Sequence, residues 1–174
     1  MKLAQVLNSK GDKIIDKWVT FTLKTYQSSG FFIKERDAFA NPVGGQVRSI
    51  LTQLLPLLLE GRGKDSYRLP LQHLMRIRAV QDFTPSQAIA PLNAVKHIVR
   101  ESLGGAQRVR ELESELYDFE FAVDLAVLSA FDLYTECRHQ LHEIRVAELK
   151  TGTSILTDSP CPSKKLQAVE KISK

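Results

Sequence analysis

Three groups of side chains have types and spacings that could do chemistry. His139 and His142 stand one helical turn apart and Glu143 follows, a spacing that could hold a metal ion. That stretch also carries Arg138, Arg145, Glu148 and Lys150, and a solvated helix face accounts for it without a metal. His73 and His97 each fall in an amphipathic run. Either could be an axial haem ligand in an all-α pocket, and a core-edge or surface histidine fits equally well. The third group is Arg78, Gln81 and Asp82, which the i, i+3 and i, i+4 spacings put on one helix face. They lie just before Thr84-Pro85-Ser86-Gln87, a capping box whose helix start would offer unpaired N–H groups to an anion. Arg78, Gln81 and Asp82 are therefore the candidate ligand pocket. The alternative is that they only tie two helices together.

No phosphate-binding glycine loop, nucleophile elbow, zinc-protease pair or kinase signature occurs, so no catalytic residue is assigned and a non-enzymatic role is expected. The two cysteines, Cys137 and Cys161, show no paired ligand spacing, and no structural zinc is expected. Cys137 reads as a small buried apolar residue. Cys161, between Pro160 and Pro162, reads as an exposed thiol. No metal and no cofactor are assigned.

Helices must position these groups. Period-two alternation is nowhere sustained, and the apolar residues recur at helical spacing, so the fold class is an all-α bundle of five to six helices. After a short apolar start at Leu3–Leu7, Asp12 is expected to cap a helix with an apolar face from Ile14 to Tyr26. Residues 31–42 read as an irregular connection. Asn41-Pro42 reads as an N-cap followed by proline at the first helical position, opening a helix to about Glu60. Further helices are expected over about Pro70–Asp82 and Pro85–Leu103. Pro56 and Pro91 should kink or split their helices. The last helix, about Ala106–Lys150, places Leu112, Leu116, Phe119, Val123, Ala126, Ala130, Tyr134, Cys137, Leu141 and Ile144 at mostly alternating intervals of four and three, close to a heptad seam. At 1.5 Å per residue it would be about 66 Å long, more than a domain of this size needs. Its middle, Phe119–Phe131, is apolar on more than one side and is expected at the centre of the core.

The net charge of +4 is not spread evenly. From Lys150 onward lysines 150, 164, 165, 171 and 174 face only Asp158 and Glu170, so the preceding residues are close to neutral and no nucleic-acid surface is expected. Residues 1–150 read as one domain and 151–174 as a flexible basic tail. The longest apolar run, Leu54–Leu59, is far short of the roughly 18 residues that span a membrane, and no secretory segment opens the chain, so no membrane insertion and a cytoplasmic location are expected.

Three motifs in order resemble a known family. They are Phe39-Ala40-Asn41-Pro42-Val43-Gly44, Ile77-Arg78-Ala79-Val80-Gln81-Asp82-Phe83-Thr84-Pro85-Ser86-Gln87-Ala88, and Ala130-Phe131-Asp132-Leu133-Tyr134-Thr135-Glu136-Cys137-Arg138 with Ile144-Arg145-Val146-Ala147-Glu148. Over about residues 3–150 the chain is similar to the N-terminal domain of the RsbT co-antagonist RsbRD. The resemblance implies a sensory input domain of the stress-signalling type, globin-like in arrangement without haem, dimeric, with its last helix running toward an output module. It implies protein partners such as the switch kinase RsbT. The 24 residues after Lys150 are too few for a STAS or kinase domain, so a stand-alone copy is expected. On this reading Tyr134, Leu141 and Ile144 form the dimer or signalling-helix seam. The alternatives are a haem- or small-ligand-binding helical protein, and an adaptor subunit of a redox or electron-transfer complex. The second draws on similar free-standing chains near sulfite-reduction electron-transfer genes.

Overall fold

The computed structural model describes residues 3–151 except Ser28, Arg36, Ala38 and Arg62. The expected tail, with Cys161, lies outside the described residues. Among those described there are eight helices and no strand: α1 Leu3–Asn8, α2 Gly11–Lys24, α3 Ser29–Lys34, α4 Pro42–Glu60, α5 Lys64–Ala79, α6 Pro85–Leu103, α7 Ala106–Glu111 and α8 Glu113–Thr151. No helix is long and apolar enough to cross a membrane. The all-α expectation holds, with more helices than expected. The additional ones are single-turn or two-turn pieces, too short for periodicity to reveal. The expected last helix is broken at Leu112, whose backbone leaves helical geometry between α7 and α8. Its carbonyl still accepts from Leu116 N at 2.9 Å.

The helix ends follow local chemistry. Asn41 caps α4 by accepting from Gly44 N at 2.8 Å, with Pro42 at the first position, as expected. Thr84 and Gln87 form the reciprocal capping box of α6. Gly61 and Gly104 close α4 and α6 with φ of 61° and 79°, a left-handed conformation open to glycine without strain. Asp12 is not the cap of α2. Ile14 N already bonds to Lys10 O at 3.0 Å, so Lys10 is the N-cap and Asp12 sits in the first turn, where its charge suits the helix dipole. Pro56, Pro70 and Pro91 all lie inside helices, and none of the three splits its helix.

Two compact units divide the described residues, one up to Arg138 and one from His139 onward. In the first, α2 packs on α4 and α6, and α4 packs on α5. Trp18, Leu51, Leu54, Leu71, Met75, Val95, Val99 and Leu116 are fully buried at its centre. Burying an aliphatic or aromatic side chain contributes roughly 1.5–3 kcal/mol, and this core is the main source of stability. The exposed pairs Lys96–Asp124 and Arg100–Glu120 join α6 to α8 and add little by comparison. The core expectation for Phe119–Phe131 needs correction. Phe119, Ala122, Val123, Ala126 and Ala130 are buried, but Phe121, Leu128 and Phe131 are about half exposed or more. One face of α8 is already filled by packing, so the opposite face has no core left to enter. In the second unit, the described turns of α8 carry His139 and Glu143 in contact at 3.3 Å, both exposed.

Gly44 is close-packed for a specific reason. A Cβ there would stand 2.8 Å from Asn41 Cγ and nearer still to its Nδ2. Asn41 uses that amide to donate to Phe32 O at 2.9 Å and Glu35 O at 3.0 Å. Replacing a helical glycine by alanine ordinarily stabilises by roughly 0.5–1 kcal/mol. Gly44→Ala displaces the Asn41 cap and is expected to destabilise by about 1–2 kcal/mol, read as a lower urea midpoint at unchanged slope.

Candidate functional site

Pro91 lies inside α6 and has no N–H, so the carbonyl four residues earlier, on Gln87, lacks its helical donor. Arg78, at the end of α5, supplies one: its Nη2 donates to Gln87 O at 3.0 Å. The same nitrogen donates to Thr25 Oγ1 at 3.0 Å, just past the end of α2. Thr25 in turn donates to Thr22 O at 2.7 Å. Pro91 O accepts from the Trp18 indole at 2.8 Å, a second tie between α2 and α6. One arginine therefore joins α2, α5 and α6.

The guanidinium sits among aromatic rings. Its carbon lies 4.2 Å from the centroid of Phe83 and 5.1 Å from that of Tyr26. The two rings meet edge to face at 5.4 Å, and Phe32 lies 5.4 Å from Tyr26 on another side. Arg78 is 0% exposed and Tyr26 5%. Burial lowers the Arg78 pKa from its ordinary value and raises that of Tyr26, while the Arg78 charge works against the Tyr26 rise. The Tyr26 hydroxyl lies within electrostatic reach of the guanidinium, and no hydrogen bond of ordinary geometry joins the two.

Helix α8 holds the α5–α6 connection at both ends. Arg138 Nη1 donates to Ala79 O at 2.9 Å, a carbonyl left open by the end of α5. The Tyr134 hydroxyl donates to Phe83 O at 2.6 Å. These two contacts flank the segment that carries Gln81 and Asp82.

The expected pocket residues are placed differently from one another. Arg78 is in the core, Gln81 is half-buried and Asp82 is exposed. Gln81 N donates to Arg78 O at 3.2 Å, but among the described residues no side-chain hydrogen bond joins Arg78 to either. Two clefts of about 490 and 500 Å³ lie elsewhere, the first against Leu58, Tyr67 and Phe121, the second against Phe32, Asn41 and Arg48. None of the three expected residues lines them. Of the seam residues, Tyr134 is buried on Phe83, Leu141 is half-buried and Ile144 is 55% exposed. His73, His97, His139 and His142 are exposed. Cys137 is half-buried, and burial pushes its thiol up. Thr25, Tyr26 and Phe83 complete the joint and are not among the residues singled out from sequence. Two signals point to it: Arg78 stands seven residues after Leu71 on the core face of α5, and Pro91 stands four residues after Gln87.

The described residues thus form an all-α bundle whose buried polar groups join helices, with no set of three or more His, Cys, Asp or Glu placed to hold a metal. Residues 12–149 match the family model described as the RsbT co-antagonist protein rsbRD N-terminal domain, and the chain belongs to that family. It is a stress-signalling regulatory family. No curated protein and no solved structure matches the chain.

Pro91→Ala would give Gln87 O a helical donor, and Arg78→Met would remove the guanidinium. If Arg78 serves the carbonyl that Pro91 leaves open, Arg78→Met costs less in the Pro91→Ala background. The expected coupling is about 0.5–3 kcal/mol in urea unfolding of the four proteins, and additivity would show that the two sites are independent.

Proposed function

We propose that this chain is a non-enzymatic sensory and regulatory domain that acts through protein contacts, with α8 carrying its state to a partner. The family match supports the regulatory role. The observation that carries the mechanism is the grip of Tyr134 and Arg138 on Phe83 O and Ala79 O. A change at the Arg78 joint alters the carbonyls that α8 holds, so the register of α8 is tied to the state of the α5–α6 connection. A ligand or partner that prefers one arrangement shifts the population toward it. The domain spans residues 1–150 on this reading, works in the cytoplasm, and has residues 151–174 as a tail.

The outer face of α8 supports contact with other proteins. Tyr117, Phe121, Leu128 and Phe131 fall at helical spacing, and each is more than half exposed. A contiguous apolar stripe of this kind marks an interaction surface. The partner implied by the family description is RsbT. The domain is a homodimer on this reading, with Leu141 and Ile144, one turn apart, as the seam. Tyr134 serves inside its own chain.

Native mass spectrometry of the full chain is expected to show a dimer. Leu141→Ala with Ile144→Ala is expected to raise its dissociation constant more than tenfold. A monomeric parent chain would overturn the homodimer, and an unweakened dimer in the double variant would move the seam off these residues.

A further inference from the structure

We propose that Arg78 and Tyr26 form a buried site for one small monovalent anion, a halide or a carboxylate the size of formate. Arg78 Nη2 is committed to Gln87 O and Thr25 Oγ1. Its Nε and Nη1 have no hydrogen-bond partner among the described residues, and neither does the Tyr26 hydroxyl beside them. All of these atoms are closed off from solvent. Buried donors are nearly always paired, so this set calls for a water or an ion as acceptor.

Charge decides between the two. A guanidinium does not lose its proton in a protein, and an unpaired buried charge is costly. No carboxylate of the described residues forms an ion pair with Arg78, and Asp82, four residues on, is exposed. The rings of Phe83 and Tyr26 offset the charge only in part. A water would satisfy the N–H groups and leave the charge. An anion accepts from the guanidinium and from the phenol and neutralises the cation as well. The donors are closed off from solvent, so the occupant is small.

The site also has a route to α8. Arg78 is followed by Ala79, whose carbonyl Arg138 holds, and it stacks on Phe83, whose carbonyl Tyr134 holds. Occupancy would therefore bias the contacts through which the proposed sensor acts. This consequence rests on the sensory reading above, whereas the site itself does not.

The test is thermal unfolding of the full chain at constant ionic strength, with sodium gluconate replaced stepwise by sodium bromide or by sodium formate. The expected result is saturable stabilisation by bromide, formate or both, and the tighter of the two identifies the occupant. Tyr26→Phe keeps both ring contacts and removes one donor, so it is expected to weaken anion binding about tenfold. Arg78→Met should abolish the response. Should that variant not fold, Tyr26→Phe carries the comparison alone. No difference from gluconate, or a response unchanged in Tyr26→Phe, would overturn the site. Hydrogen exchange of residues 133–151 at saturating anion then tests the link. Changed protection supports it, and binding with unchanged protection would leave the site standing and overturn the sensory role of α8.

Discussion

A proline inside a helix removes one N–H and leaves one carbonyl without its helical donor. In α6 that carbonyl belongs to Gln87, and the donor that replaces the missing amide is a side chain from another helix. This moves a hydrogen bond that would have been local into the tertiary structure. Arg78 must be inside to make it. Once inside, it needs further acceptors and something to offset its charge. Thr25 provides an acceptor, and Phe83 and Tyr26 provide ring faces. The placement of α2, α5 and α6 at this end of the first unit follows from satisfying one defect.

The same arrangement explains why α8 reaches this region with polar groups. The end of α5 leaves carbonyls open, as every helix end does. The connection to α6 runs only from Val80 to Thr84; its Gln81 N–H returns to Arg78 O at 3.2 Å, but it does not satisfy Ala79 O and Phe83 O itself. Arg138 and Tyr134 do so instead. Elsewhere α8 is fixed by apolar burial of Leu116, Phe119, Val123 and Ala126, which is non-directional. Hydrogen bonds are directional, so the register of α8 is set most sharply where Tyr134 and Arg138 bind.

Much of the architecture was legible in the sequence because it rests on local rules. Asn41-Pro42, the Thr84–Gln87 box and the stops at Gly61 and Gly104 depend on residues within one turn of each other. The helices with a long apolar face were legible for the same reason. Asp12 misled because a good capping side chain does not oblige the helix to begin there, and Lys10 O takes the first bond. The candidate pocket was legible in part. Arg78 continues the Leu71–Leu74 face and its burial follows from that spacing. Tyr26 and Thr25 lie more than fifty residues away, and no local rule pairs them with it. Gln81 and Asp82 share a helical spacing with Arg78, but α5 ends at Ala79, so the face they were expected to share stops before they arrive.

The outer face of α8 shows where periodicity alone is ambiguous. Phe119 and Phe121 are equally apolar and two residues apart, yet one is buried and the other half exposed. A helix that is apolar all round is expected to be surrounded. In the first unit α8 is covered on one side, while Tyr117, Phe121, Leu128 and Phe131 remain open to solvent on the other. A sequence shaped only by folding this unit would gain solubility by placing charge at those positions. Their apolar character instead fits a helix with two packing obligations, one inside the chain and one outside it. That is what the proposed function requires of the helix that would carry the domain's state.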